Sequence, residues 1–160
     1  MLSHVDESGN ARMVDITRKP ATARTAVAEG FIYMSGEALE AVRGNTLKKG
    51  DALATARIAG IMAAKNTPRA IPLCHDIHLT GCEIGFTLGD GWIRAECGVR
   101  CQASTGAEME ALSGVAGALL TVYDMCKSVD KHMRIDGVRL LSKTGGRSGD
   151  VTLAGGSPGQ

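Results

Sequence analysis

The side chains best placed to move protons sit in two short segments. In YDMCKSVDK, residues 123–131, Asp124 and Lys127 stand three positions apart, which makes them neighbours on a helix and close enough for an ion pair. On a solvated surface such a pair does little beyond balancing charge. In a buried site the carboxylate would favour a charged lysine and desolvation a neutral one, a competition that brings a lysine into proton exchange near neutral pH. In IPLCHDIHLTG, residues 71–81, Cys74, His75 and His78 lie among apolar residues behind Pro72. A metal would need all three to converge, yet on a strand positions i and i+3 face opposite ways, and Pro72 disfavours a helix just before them. The spacing argues against a metal and leaves a core histidine and a catalytic or binding histidine both open.

Two further segments bear on charge. In STGAEMEAL, residues 104–112, Thr105 and Glu108 fit a capping box at a helix start. At about 100° per residue Glu108 shares a side with Leu112, Leu119 and Cys126, so a carboxylate is expected in the apolar stripe, at the end where the helix dipole favours anions. Glu110 falls on the far side with Asp124 but about 21 Å away along the axis, too far for the two to act as a pair within one helix. In SKTGGRSGD, residues 142–150, Lys143 and Arg147 surround Gly145, Gly146 and Gly149. Bare backbone N–H groups and two cations suit an anion, although the spacing matches neither a P-loop nor a dinucleotide fingerprint, and a flexible tail explains it as well. Lys48, Lys49 and Lys65 bracket the first long helix, where lysines are usually solubilising.

The elements that must position these groups follow from periodicity. Residues 11–19 and 25–34 read as strands, the second with Val27, Phe31 and Tyr33 on one side. Ser35 caps a short helix through Val42, and Asp51 caps a helix reaching Lys65 and closed by Pro68. Residues 77–88 and 92–101 alternate apolar and polar and are joined by Gly89-Asp90-Gly91, a hairpin. A long helix is predicted over residues 106–129, with Met109, Leu112, Ala116, Leu119 and Tyr123 on one stripe, and residues 134–141 form a last strand. Without the first strand and the short helix, the order is β-α-β-β-α-β, the α+β ferredoxin-like arrangement with two helices on one face of an antiparallel sheet. The other face needs cover, from the extra N-terminal elements or from another subunit. Residues 1–150 are expected to form a single domain and residues 151–160 a flexible C-terminal tail, its final residues disordered.

Composition narrows the classes. At 160 residues with a net charge of +1, the chain can bury a core, and its bulk charge attracts neither nucleic acid nor membrane, so any anion site must be local. Five cysteines, an odd number without C-x-x-C spacing, argue for free thiols and against structural zinc, clusters and dithiol redox chemistry. Aromatic residues at 3% weigh against a single-strand stacking platform. With no apolar leader or membrane-length run, the cytoplasm is the expected location.

KKGD at 48–51, ATARIAGIMAAK at 54–65, IPLCH at 71–75, GAEMEAL at 106–112, YDMCK at 123–127 and KTGGRSGD at 143–150 together resemble the MoaC family, in the same order and with similar spacing. The resemblance runs from about residue 11 to residue 150. It implies cyclic pyranopterin monophosphate synthesis, a lyase reaction of molybdenum cofactor biosynthesis in which 3',8-cyclo-7,8-dihydro-GTP loses pyrophosphate without a redox step. It further implies a ferredoxin-like subunit in a homohexamer of three dimers, with active sites at subunit interfaces.

Carried over by motif, the resemblance makes Asp124 and Lys127 catalytic and gives substrate-binding roles to Leu73, Cys74, His75, Met109 and Glu110. Lys49, Lys65, Glu108 and Lys143 match further functional positions, as does Arg24 in less similar surroundings. Arg147 and the lysines would meet a triphosphate. No resident cofactor and no protein-bound metal are implied, and a divalent cation accompanying the triphosphate stays open. The chain departs from the family at Asp76, where proline is usual. A ferredoxin-like module that only binds a nucleotide or RNA is the rival reading, and it predicts binding without pyrophosphate release.

Overall fold

The computed structural model describes residues 5, 6, 8–146 and 149–157. Arg147 and the last three residues of the expected tail lie outside them. Its elements are β1 (Thr22–Tyr33), α1 (Gly36–Arg43), α2 (Ala52–Lys65), α3 (Thr67–Ala70), β2 (Leu79–Leu88), β3 (Trp92–Ala103), α4 (Glu108–Cys126), β4 (Arg134–Thr144) and β5 (Val151–Thr152). The sheet runs β2-β3-β1-β4-β5, antiparallel throughout. Its first four strands in that order are the ferredoxin-like arrangement expected from the sequence.

Local chemistry sets the element ends. Ser35 accepts the Ala38 N–H and opens α1, and Asp51 does the same for Ala54 and α2. The β2–β3 hairpin turns through Gly91 at φ +74°, a conformation that costs glycine little. On β1, Ala26, Ala28 and Ile32 are buried toward the helices, and on β3 Ile93, Ala95, Cys97 and Val99 join them. The small residues let α2 and α4 settle close together. A Cβ on Gly114 of α4 would come within 2.5 Å of Cys97 Sγ. Gly114→Ala should therefore overpack the core and cost about 1–3 kcal/mol, seen as a lowered thermal midpoint.

Four expectations need correction. Residues 11–19 form no strand, and among the described residues only an isolated bridge between Val5 and Ala11 precedes β1. Asp15 instead turns the chain by accepting the Thr17 N–H and hydroxyl, a local bond that competes with strand pairing. The long helix is shorter than expected, Glu108–Cys126, and its buried stripe is rotated: Ala111, Val115, Ala118, Leu119, Val122 and Cys126 are inside, whereas Met109 is 37% exposed. The capping box does not form, because Ala107 is the N-cap and makes no side-chain cap bond. With that rotation Glu110, expected outside, is only 3% exposed, while Glu108 is the more exposed acid, its side chain 27% accessible.

The second sheet face is charged at its centre. Glu29 is buried there between Arg94 at 2.6 Å and Arg139 at 3.0 Å. Part of the cover comes from the chain after β5. Leu153 donates its N–H to Leu141, and Gly156 donates its own to Glu29 at 2.5 Å.

Candidate active site

A cleft opens beside the N-terminus of α4. Its first half, about 430 Å³, is lined by Leu73, Cys74 and His75 from the loop before β2 and by Glu108, Met109 and Glu110 from α4, with Val14, Ile16, Lys19, Thr105 and Gly106 completing the wall. Glu110 is almost fully buried there, and its carboxylate has no ion-pair partner among the described residues. Burial pushes its pKa up, and the charges of Glu108 and Asp76 add to the rise against the pull of its own backbone N–H. Burial, followed by the nearby Glu110, likewise raises the Cys74 thiol, so this cysteine is a protonated lining residue rather than a thiolate nucleophile.

The second half, about 400 Å³, continues from the first through Lys19, Thr105, Gly106 and Glu108, and carries the cations Lys19, Arg24 and Lys143. Arg24 is held by a 3.0 Å bond from Nε to the Ala103 carbonyl. Its guanidinium lies against Gly146 so closely that a Cβ there would collide with Nη1, and Gly146 stands at φ +83°. The backbone angle favours glycine at this position, and any larger side chain would also have to displace the Arg24 guanidinium. Lys143 pairs with Glu108 at 2.8 Å. Burial would raise Glu108, but the Lys143 hydrogen bond, its own N–H and the charges of Lys143 and Arg24 outweigh it and hold the acid lowered. Thr22 Oγ1, also at this end, is buried without a hydrogen-bond partner among the described residues.

Asp124 and Lys127 stand at the other end of α4, about 21 Å from Glu110 along the axis. Asp124 bonds Lys127 at 2.7 Å and Lys49 at 2.6 Å, and all three side chains are about half exposed. Hydrogen bonds from Lys127 and then Lys49 bring the Asp124 carboxyl down to about 2. The same bond raises Lys127. The pair is therefore an ionised aspartate between two ammonium groups, with no burial to neutralise the lysine. Lys65 lies apart from both clusters, beside Asp76, Ile77, His78 and Leu79 in a separate depression. No group of three or more His, Cys, Asp or Glu able to hold a metal lies among the described residues. No helix among them is long and apolar enough to cross a membrane.

These two clusters fall on the motifs singled out above, and the MoaC family model matches residues 13–146. The chain belongs to the MoaC family. It is 56% identical over 153 residues to a cyclic pyranopterin monophosphate synthase of Corynebacterium glutamicum (strain R), covering 95% of this chain and 97% of that relative. A protein of the same name from Chloroflexus aurantiacus (strain ATCC 29366 / DSM 635 / J-10-fl) is 53% identical over 151 residues, 93% of each chain. Another, from Thermoanaerobacter pseudethanolicus (strain ATCC 33223 / 39E), is 51% identical over 150 residues, 92% of this chain and 95% of the relative.

Of the MoaC motif residues, the structure brings Leu73, Cys74, His75, Glu108, Met109 and Glu110 together with Arg24 and Lys143, and it gathers Lys49, Asp124 and Lys127 separately. Lys19, which lines both halves of the cleft, escaped the sequence reading. It sits in a segment that alternates like a strand, and only the adjoining Pro20 hinted that the chain turns there. Asp76, the departure from the MoaC pattern, is exposed, and its charge reaches the buried Glu110.

Proposed function

We propose that this chain is a cyclic pyranopterin monophosphate synthase of molybdenum cofactor biosynthesis, converting 3',8-cyclo-7,8-dihydro-GTP to its product with release of pyrophosphate. The observation that carries the reading is the composition of the cleft: a buried acid with a histidine and apolar walls at one end, and three cations with a glycine turn at the other. Those ends match the two ends of a cyclised nucleotide triphosphate. Lys19, Arg24 and Lys143 neutralise phosphate oxygens, and the unpartnered Thr22 hydroxyl donates to one of them. Glu110 and His75 position the purine-derived part.

Ring opening, pterin closure and formation of the cyclic phosphate each move protons. Lys127, kept charged by Asp124, is the donor. In the last step a sugar hydroxyl attacks the α-phosphorus and loses its proton, and the bond to the β-phosphate breaks as pyrophosphate leaves. One copy cannot bring its Asp124 and Lys127 to its own Glu110 across about 21 Å of helix, so the complete site joins the cleft of one copy to the Asp124 cluster of another. A homohexamer of three dimers provides such pairings.

The test has two arms. Purified protein incubated with 3',8-cyclo-7,8-dihydro-GTP should release pyrophosphate together with a pterin that fluoresces after oxidation; binding without either product would refute the activity. Glu110→Gln and Asp124→Asn, each strongly impaired alone, should regain activity when co-expressed and isolated as mixed assemblies, and a mixture no more active than the two single variants would refute the shared site.

A further inference from the structure

The wall of the cleft formed by residues 12–20 is unlike the others. It contains no helix or strand. Met13 is 52% exposed, and neither Val14 nor Ile16 belongs to the hydrophobic core or packs against it. Its internal bonds are local, from Thr17 to Asp15 and from the Lys19 N–H to Ile16. Among the described residues two hydrogen bonds tie it to the body: one between His75 Nε2 and the Val14 carbonyl at 2.6 Å, the other from Ser104 Oγ to the Lys19 carbonyl at 2.7 Å. A carbonyl only accepts, so His75 is the donor and its Nε2 carries a proton. This leaves Nδ1 as the one ring nitrogen available to a substrate.

We propose that residues 12–20 are a lid over the cleft and that His75 is its latch, a positioning residue that closes the lid through Val14. The inference rests on the reading that the cleft takes a cyclised nucleotide triphosphate. A segment without core contacts opens at small cost compared with global unfolding, and each tie contributes on the order of one hydrogen bond. Lys19 rides on the lid. An anion among Arg24 and Lys143 attracts it, so binding the phosphates and closing the wall beside the purine-derived part are a single event. Water is then kept from the reacting ring by a part of the chain that the substrate itself pulls down.

Trypsin reads the lid directly. Arg18 is exposed within it, whereas Lys19 precedes Pro20 and resists cleavage. When opening and closing are fast, the cleavage rate follows the open population. His75→Phe, which keeps a ring and removes the donor, should raise cleavage after Arg18 about 10-fold, the equivalent of one lost hydrogen bond. Cleavage after Arg43 should not change. His75→Gln, whose amide can donate to Val14, should restore most of the protection. Inorganic pyrophosphate should slow the Arg18 cut in the parent protein and slow it less in His75→Phe.

Ser104→Ala removes the second tie and repeats the test without touching the histidine. The lid is overturned if both His75→Phe and Ser104→Ala are cut after Arg18 at the parent rate, or if they accelerate cleavage after Arg18 and Arg43 equally. Failure of the activity is a different result: no pyrophosphate from the cyclised nucleotide, with the Arg18 pattern intact, rejects the reaction and leaves the lid standing.

Discussion

Lys127→Ala should lower the rate of pyrophosphate release by about 10²- to 10⁴-fold, the range for loss of a positioned proton donor, and Asp124→Asn should fall in the same range. The pH profile separates their roles. Asp124 is ionised down to about pH 2, so it does not set the acid limb of activity in the neutral range. Whatever stability its ion pairs contribute is present above its ordinary value of 3.8 and is lost as pH falls through about 2. Lys127, raised by the Asp124 hydrogen bond, stays charged through neutral pH, and activity should decline on the alkaline side as pH rises through its raised value. Asp124→Asn removes the carboxylate that favours the charged form, so the residual activity should lose its alkaline limb at lower pH than the parent. A limb unmoved by Asp124→Asn would show that Lys127 is not the group titrating there.

Glu110→Gln should separate stability from function. A carboxylate 3% exposed and without a cation costs stability that a neutral amide does not, by about 1–3 kcal/mol. The thermal midpoint at pH 7 should rise by about 2–4 °C for each kcal/mol recovered in a protein of this size, while turnover of the cyclised nucleotide is lost. The sign of the pH effect follows from the direction of the shift. Because Glu110 is raised above its ordinary 4.5, the folded chain holds its proton longer than the unfolded one. Its contribution is favourable at pH below about 4.5 and is lost as pH rises through the raised value. Denaturant titrations from pH 4 to 8 should show this downward slope in the parent and its absence in Glu110→Gln.

Much of the scaffold was legible because it is local. Asp51 and Ser35 cap their helices through bonds to backbone groups three residues away, and the alternation in β2 and β3 around Gly89-Asp90-Gly91 needs only the period of a strand. Failures came where local pattern and tertiary choice disagree. The alternation of residues 11–19 is as good as that of a real strand, but β2 and β5 occupy the sheet edges, and Asp15 turns the chain instead. The rotation of α4 could not be read from its apolar residues alone. Nearly every side of that helix carries a small or apolar residue, and the close approach of Gly114 to Cys97 on β3 selects the buried face.

By itself the sequence determined the order of the four long strands and the helices α1, α2 and α4, the family to which the chain belongs and the pairing of Asp124 with Lys127, since each is written in residues close together or in motifs along the chain. The tertiary structure decided which acid is buried, where Lys19 stands, and that Arg24 and Lys143 share a cleft with Glu108 while Lys49 joins Asp124. Those facts depend on how helix faces rotate and which distant strands pair. They are set by side-chain volume and steric fit between segments as much as 119 residues apart, as Arg24 and Lys143 are, and no window of the sequence contains both partners.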